Sequence, residues 1–182
     1  MESEKKTRKP LVSVVGAACC AILYAAIPRE EGTKTVAYRD PVGLLTICSG
    51  HTGDDIIAGR VYTKDECQAM LDGDLSDHAQ AVLKCAPILE GKTYFLAAST
   101  DFAYNKGDRR FCDSAIAEAF RAGNFPVACR RFNESDDGKP QWSSVKDKQV
   151  IGPDGKIVWT YKTLPGLVKR QADQRALCEK GL

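Results

Sequence analysis

The sequence has almost no excess of charge of either sign. Its 182 residues include 26 lysines and arginines against 24 aspartates and glutamates, so the formal net charge at pH 7 is +2. A large basic surplus is typical of general nucleic-acid binders, and because it is missing we expect no nucleic-acid partner. The sequence also contains no internal repeat of about 20 to 50 residues, which argues against a solenoid.

Motifs for metals and redox chemistry are missing as well. The chain has two histidines and eight cysteines, but no two cysteines have the C-x-x-C spacing. This argues against a zinc ribbon or a thioredoxin motif. No cluster of histidine, cysteine and carboxylate side chains indicates a metal, so we expect neither a metal nor another cofactor.

Six of the cysteines are dispersed over the chain after its first forty residues. They are Cys48, Cys67, Cys85, Cys112, Cys129 and Cys178. In a chain with an export-like beginning, this number indicates up to three disulfides and an oxidising compartment such as the periplasm. The alternative is six buried free thiols in a cytosolic protein. The sequence by itself leaves the pairing open.

A long hydrophobic run is almost missing. Residues 11–28 carry no charge, but these 18 residues fall short of the roughly 20 that span a membrane, and Ala, Gly and Ser dilute them. Basic residues precede the run, which predicts a cytoplasmic N-terminus and an exported remainder. We therefore divide the chain into a basic segment, 1–10, a marginal uncleaved membrane-anchor helix, 11–28, and an exported domain, 29–182.

Three other interpretations of residues 11–28 compete with the anchor. A cleaved signal peptide needs small residues before the cut, and residues 24–28 offer no clean A-x-A. A lipoprotein needs a branched apolar residue three positions before its cysteine, where this chain has Gly16 and Ala17. The third alternative is a helix buried in the core of the domain.

The rest of the chain predicts an α+β domain that is mainly helical. Thr63 and Glu66 match a capping box, so a helix should start near Lys64. Further helices are expected over residues 92–104, 115–121, 126–132 and 166–178, with the helix at 92–104 central in the core. One small sheet is expected near residue 40. Residues 133–165 are polar and irregular, with a possible small hairpin within 148–161.

Two carboxylates and a hydroxyl lie within 16 residues, at Glu31, Asp40 and Thr46. Glycoside hydrolysis needs one carboxyl group that gives a proton to the leaving oxygen and a second that orients water or acts as nucleophile. Apolar neighbours such as Ile27 and Val36 would raise the pKa of Glu31 for the acid role. Such a trio is common by chance, so by itself it fits a solvated turn better than an active site.

The order and spacing of the surrounding residues resemble the active-site signature of phage-type lysozymes, glycoside hydrolase family 24. The matching pieces are Glu31-Gly32, Tyr38-Arg39-Asp40 and Gly43-Leu44-Leu45-Thr46-Ile47-Cys48-Ser49-Gly50-His51. The resemblance extends over residues 31–178. It implies a lysozyme-like fold with a small N-terminal β-hairpin lobe and a helical lobe, preceded by the anchor helix.

The resemblance also implies an activity and roles for residues. It implies hydrolysis of the β-1,4 bond between N-acetylmuramic acid and N-acetylglucosamine in peptidoglycan, with inversion, by an endolysin that acts as a monomer. Glu31 would be the general acid, and Asp40 and Thr46 would position the water. The family's pairing implies the disulfides Cys48–Cys67, Cys85–Cys112 and Cys129–Cys178. His51 would support the fold through an ion pair, and Glu30 is expected to be a surface charge. Gln171 and Gln174 depart from the charged residues of relatives, which puts an ion pair of the last helix in doubt.

Residues 11–28 resemble the signal-arrest-release segment of some endolysins of lambdoid phages. Such a weak anchor holds the protein in the inner membrane and later leaves it, so that the enzyme reaches the periplasm. Cys19 or Cys20 would then be able to exchange a disulfide with Cys48. The alternative is that both cysteines are small apolar fillers.

Two rival functions stay open at this point. A lytic transglycosylase acts on the same bond and often needs only one acid, so the set of Glu31, Asp40 and Thr46 argues against it. A tethered peptidoglycan-binding module without catalysis would not need that spacing.

Overall fold

The computed structural model describes residues 8–40, 43–151, 153 and 155–182. Its helices are α1 (Leu11–Val15), α2 (Ala17–Glu31), α3 (Lys64–Cys85), α4 (Thr93–Lys106), α5 (Asp108–Cys112), α6 (Ala115–Arg121), α7 (Phe125–Arg130) and α8 (Pro165–Glu179), with a 3-10 turn at Pro87–Leu89. Its strands are β1 (Lys34–Arg39), β2 (Leu45–Cys48), β3 (His51–Thr52), β4 (Ser144–Ile151) and β5 (Ile157–Thr163). The mainly helical α+β class is confirmed.

The uncharged run at the start of the chain forms two helices rather than one. Gly16, with φ of +79°, separates α1 from α2. Leu11, Leu23 and Ile27 are fully buried and belong to the main hydrophobic core. No helix in the described part of the chain combines the length and apolar character needed to cross a membrane. The core-helix alternative therefore describes how residues 11–28 are placed in this structure.

Helix α3 holds the first described residues by polar contacts. The carboxylate of Asp72 accepts the backbone N–H of Leu11, at 3.3 Å for Oδ2, and the hydroxyl of Tyr24. The hydroxyl of Ser76 donates to the carbonyl of Lys9 at 2.6 Å. Leu11 is the first residue of α1, so the carboxylate of Asp72, which belongs to α3, lies at the N-terminus of α1. Negative charge at a helix N-terminus is stabilising. Residues 9–11 are therefore attached to the folded domain.

Helix α3 begins where its capping signal predicts. The Thr63 hydroxyl accepts the N–H of Glu66 at 3.1 Å, and the Glu66 carboxylate accepts the N–H of Thr63 at 2.8 Å. This reciprocal pair satisfies two N–H groups that a helix start leaves without partners. It confirms the predicted capping box and places α3 against the small sheet.

Helix α4 lies at the centre of the helical lobe, as predicted for residues 92–104. Every residue from Phe95 to Ala103 is buried. The ring of Phe102 makes edge-to-face contacts with Phe111, Phe132 and Trp142, at centroid distances of 5.1 to 6.3 Å. A helix that is apolar on most sides must be surrounded by other elements, and here α2, α3 and α8 pack around it.

Three disulfides close the domain, and they are the three that the resemblance implies. They are Cys48–Cys67, Cys85–Cys112 and Cys129–Cys178. The last one spans 49 residues and ties α7 to α8. Cys19 and Cys20 are free thiols buried in α2. In this structure Cys48 is therefore bonded to Cys67, and its exchange with Cys19 or Cys20 stays a hypothesis.

The described residues form two sheets, where the sequence predicted one near residue 40 and a possible small hairpin within 148–161. The first is antiparallel, in the order β1-β2-β3, and Tyr38 of β1 faces Thr46 of β2. The second is the β4–β5 hairpin within the region expected to be irregular, and it is longer than the hairpin predicted within 148–161. All of its strand residues except Thr160 are exposed. The β4–β5 hairpin is therefore largely exposed to solvent.

Candidate active site

Glu31 is the last residue of α2, and Gly32 ends that helix. Gly32 has φ of +71°, and its N–H donates to the carbonyl of Pro28 at 2.9 Å. This left-handed region favours glycine, which explains why Gly follows the candidate acid. The chain then turns directly into β1, so Glu31 lies at the junction between the helical lobe and the sheet.

A single guanidinium group holds Glu31 from the side of α8. Nη1 of Arg170 bonds Oε1 of Glu31. Nη2 donates to Oδ1 of Asp101 at 2.6 Å, and Nε lies 2.6 Å from Oε2 of Glu30. The amide of Gln174 donates to the other Asp101 oxygen at 2.9 Å. Three carboxyl groups therefore share one positive charge, in a group that we call the Arg170 cluster (Glu30, Glu31, Asp101, Arg170).

The expectation that Glu30 is a surface charge is wrong. Its side chain is only 10% exposed and ion-paired with Arg170. Burial and the neighbouring Asp101 raise the pKa of Glu30 to about 7, although Arg170 and Arg29 oppose the shift. The ion pair that Gln171 and Gln174 put in doubt is a separate matter from Arg170, which makes three ion pairs from the last helix, one of them supported by Gln174. Helical spacing in the sequence carried no signal that these groups would meet.

Asp40 and Thr46 lie together at the end of the β1–β2 hairpin. The Asp40 carboxylate accepts the N–H of Leu44 at 2.8 Å, and the Asp40 N–H donates to the Leu44 carbonyl at 2.9 Å. The hydroxyl of Thr46 donates to the same carbonyl at 3.2 Å, and Thr46 is almost fully buried. The backbone of Leu44 therefore ties both side chains to one turn.

A pocket of about 790 Å³ opens beside Glu31. Its walls come from the end of α2, from Asn105 of α4 and from the start of α8, where residues 164–167 and Arg170 contribute. This volume lies within the range of small-molecule and substrate pockets, roughly 300 to 1,000 Å³. Asp40 and Thr46 lie on the sheet and do not line it. The structure thus places Glu31 at a pocket and groups Asp40 with Thr46 in the neighbouring lobe.

Tyr104, which the sequence alone did not single out, links the two lobes. Its hydroxyl donates to the carbonyl of Ser49 at 2.6 Å, across from α4 to the turn after β2. Burial together with the nearby acids Asp74 and Glu31 raises the pKa of Tyr104. Gly50 lies beside the ring, and its φ of +98° favours glycine at this turn. Tyr104 is therefore a neutral donor that fixes the β-hairpin lobe on the core.

His51 has the structural role that was expected. Its Nδ1 lies 2.7 Å from Asp74 and its Nε2 lies 3.1 Å from Asp55. The bonds and the charges of these two aspartates raise the pKa of His51 to about 9, although burial opposes the shift. The imidazolium therefore joins β3 to α3. Within residues that the structure describes, no group of His, Cys, Asp or Glu side chains is arranged to hold a metal ion.

Comparison with known proteins identifies clear relatives. A family model described as phage lysozyme matches residues 28–174. The SAR-endolysins of Enterobacteria phages PA-2 and P21 are each 30% identical over 158 residues, which cover 79% of this chain and 91% of each relative. The SAR-endolysin of Escherichia phage Mu is 33% identical, covering 68% of this chain and 74% of the relative.

Solved structures share the fold. The muramidase domain of SpmX from Asticaccaulis excentricus superposes with a TM-score of 0.68 at 23% identity, covering 87% of this chain and 94% of that one. The active form of the P1 phage endolysin Lyz has a TM-score of 0.65 at 18% identity, covering 92% and 86%. At these identities the likeness concerns the fold. It agrees with the two-lobed arrangement described above.

Proposed function

Because this chain belongs to the phage lysozyme family and is an endolysin that hydrolyses peptidoglycan, we propose that Glu31, Asp40 and Thr46 are its catalytic residues. The observation that carries the proposal is the position of Glu31, which lines the pocket and is held there by Arg170. Asp40 and Thr46 support it because one turn of the sheet holds both.

The proposed reaction is hydrolysis of the β-1,4 bond between N-acetylmuramic acid and N-acetylglucosamine. Protonated Glu31 gives its proton to the glycosidic oxygen, so that the leaving sugar departs as an alcohol. Asp40 accepts a proton from water, and Thr46 helps to orient that water for attack on the anomeric carbon from the opposite face. This single displacement inverts the anomeric centre. The protons balance: the proton from Glu31 stays on the leaving sugar, and water gives its hydroxyl to the anomeric carbon and its other proton to Asp40. Exchange with solvent then removes the proton from Asp40 and returns one to Glu31.

The test is mass spectrometry of purified peptidoglycan after digestion by the full chain, folded under oxidising conditions without membranes. The full chain is needed because α1 and α2 belong to the core. We expect reducing-end muropeptides from the wild type and from Glu90→Gln, an exposed acid used as control. Glu31→Gln should give none.

Two outcomes would move the assignment. Anhydro-sugar ends would indicate a lytic transglycosylase instead of a hydrolase. Intact peptidoglycan after treatment with a folded, oxidised wild type would favour the non-catalytic binding module.

Residues 11–28 are proposed to serve first as a weak single-pass anchor in the host inner membrane and later as α1 and α2 of a monomeric periplasmic enzyme. Two observations support this. The relatives from phages PA-2 and P21 are named SAR-endolysins, and the uncharged run carries the apolar side chains that fill the core here. Lipid and protein core are both apolar surroundings, so one composition suits both states.

Exposed small residues of α2 allow a sharp test of the anchor. Ala18, Ala21 and Ala25 point away from the core, so Leu at these positions leaves the fold intact. In lipid each change adds about 2 kcal/mol of favourable transfer energy. We expect the triple variant to stay in the membrane fraction and to delay lysis, while the same changes to Ser speed release. Equal fractionation of all three proteins would contradict the anchor.

A further inference from the structure

Asp101 is a buried carboxylate that the proposed reaction does not use. It lies in the middle of α4 and is only 2% exposed. Its two oxygens are bonded to Arg170, at 2.6 Å, and to Gln174, at 2.9 Å. A buried carboxylate is costly unless it is paired, and its partners here all come from α8. Asp101 therefore fixes where the Arg170 side chain lies.

The guanidinium of Arg170 presents three different nitrogens to three acids. Nη2 faces Asp101, Nη1 faces Glu31 and Nε faces Glu30. Because the guanidinium is planar and rigid, fixing one edge fixes the directions of the others. Asp101 thus constrains the position of Glu31 through the guanidinium that both carboxylates share.

We propose that Asp101 is a positioning residue for the general acid: anchored between Arg170 and Gln174, it fixes the guanidinium that holds Glu31 and keeps a proton within the Arg170 cluster near neutral pH. The inference rests on the proposed role of Glu31. It assigns to Asp101 an effect on the reaction that acts through Arg170 and through its own charge in the Arg170 cluster.

The charge balance of the Arg170 cluster explains why the cluster keeps a proton near neutral pH. Three ionised carboxyl groups against one guanidinium would leave two negative charges in a largely buried place, which is unfavourable. Burial raises the pKa of Asp101, and burial together with Asp101 raises the pKa of Glu30 to about 7, so the cluster binds a proton more tightly than free carboxyl groups would. The other charged groups facing Glu30 are Arg29 and Glu31 of α2 and Arg170 and Asp173 of α8. Removing one carboxylate leaves two carboxyl groups beside one guanidinium, so the cluster binds a proton less tightly.

The test measures kcat and KM against pH, from about pH 4.5 to 9, on soluble peptidoglycan fragments with the full oxidised chain. Asp101→Asn keeps the shape and an acceptor but removes the charge. We expect kcat of this variant to begin its alkaline decline about one pH unit lower than kcat of the wild type. At pH 8 this shift would reduce activity by up to tenfold. KM should change little because Asp101 does not reach the pocket.

Glu30→Gln is the second variant, because it leaves the buried Arg170–Asp101 pair intact and should fold even if Asp101→Asn does not. It also removes one carboxylate from the cluster, so its alkaline decline should move in the same direction. Glu30→Asp, which keeps the charge, should restore the wild-type profile. Glu118→Gln, an exposed acid on α6, is the matched control and should leave the profile unchanged.

The outcomes separate this inference from the proposed function. A uniform loss of activity in folded Asp101→Asn, with the pH profile unmoved, would show a merely structural residue and overturn the inference. An unmoved profile in Glu30→Gln would overturn the charge argument. Suppose that the wild type hydrolyses peptidoglycan and Glu31→Gln does not. Either of these unmoved pH profiles then refutes only the role of Asp101 and leaves the proposed catalytic set standing. Full activity of Glu31→Gln would instead refute the proposed catalytic set.

Discussion

The ion pairs of His51 predict a large and pH-dependent contribution to stability. The ring is only 6% exposed and lies between Asp74 and Asp55. Replacing it by Gln in His51→Gln removes the positive charge while keeping a polar side chain of similar length. The two aspartates then lose their shared partner, and β3 loses its charged link to α3.

The magnitude follows from the pKa. The folded domain raises the pKa of His51 from 6.5 to about 9, a difference of roughly 2.5 units at 1.36 kcal/mol each, or about 3 kcal/mol. Because the pKa of a base is raised, the folded state binds its proton more tightly than the unfolded state. The stabilisation is therefore complete below pH 6.5 and is lost as the pH rises through 9.

The assay is urea unfolding of the oxidised protein at pH 6 and at pH 9.5. We expect His51→Gln to be about 3 kcal/mol less stable than the wild type at pH 6 and the gap to shrink strongly at pH 9.5. Other titrating groups occur in both proteins and cancel in the difference. His78→Gln is the control, since its pair with Asp108 is more open to solvent and should contribute about 1 kcal/mol or less. A gap of equal size at both pH values would refute the reasoning.

Three further results are expected. Thr46→Val should reduce kcat by about tenfold or more with little change in KM, whereas Thr46→Ser, which keeps the hydroxyl, should retain most activity in the same assay. Because the pKa of the acid Glu30 is raised from 4.5 to about 7, the free energy of unfolding should fall by about 3 kcal/mol as pH rises across that window, and Glu30→Gln should remove this slope in urea titrations. The exposed ends of β4 and β5 should tolerate Ile151→Thr with Ile157→Thr, with a change in the free energy of unfolding below about 0.5 kcal/mol in the same titrations; a larger loss would show that the hairpin packs on the domain.

The elements that could be predicted from the sequence are those with local causes. The capping box of Thr63 and Glu66 starts α3 within four residues of chain, and the apolar stretch around Phe102 requires a central helix. The three disulfides followed from the resemblance, not from spacing. The assignment of Glu31, Asp40 and Thr46 also came from the resemblance, and the chemistry of these residues stays a prediction.

The ion pairs between buried charged side chains could not be predicted from these local patterns. Glu30 was expected on the surface, yet Arg170 pairs with it from 140 positions further along the chain, and Asp101 pairs with Arg170 from 69 positions away. Periodicity identifies the apolar side of a helix. It does not say which charged side chains of distant helices meet, because that depends on how the helices pack.

The sequence by itself determined the class of fold, the helix that forms the core and the family, because capping, periodicity and motif order are local properties of the chain. Only the tertiary structure decided where residues 11–28 lie, as α1 and α2 broken at Gly16 and packed on α3 and α4. The physical reason is that an uncharged, weakly apolar segment is stabilised by leaving water, whether for lipid or for a protein core. The choice between the two depends on the partners that the folded chain provides, here the core around Leu23 and the carboxylate of Asp72.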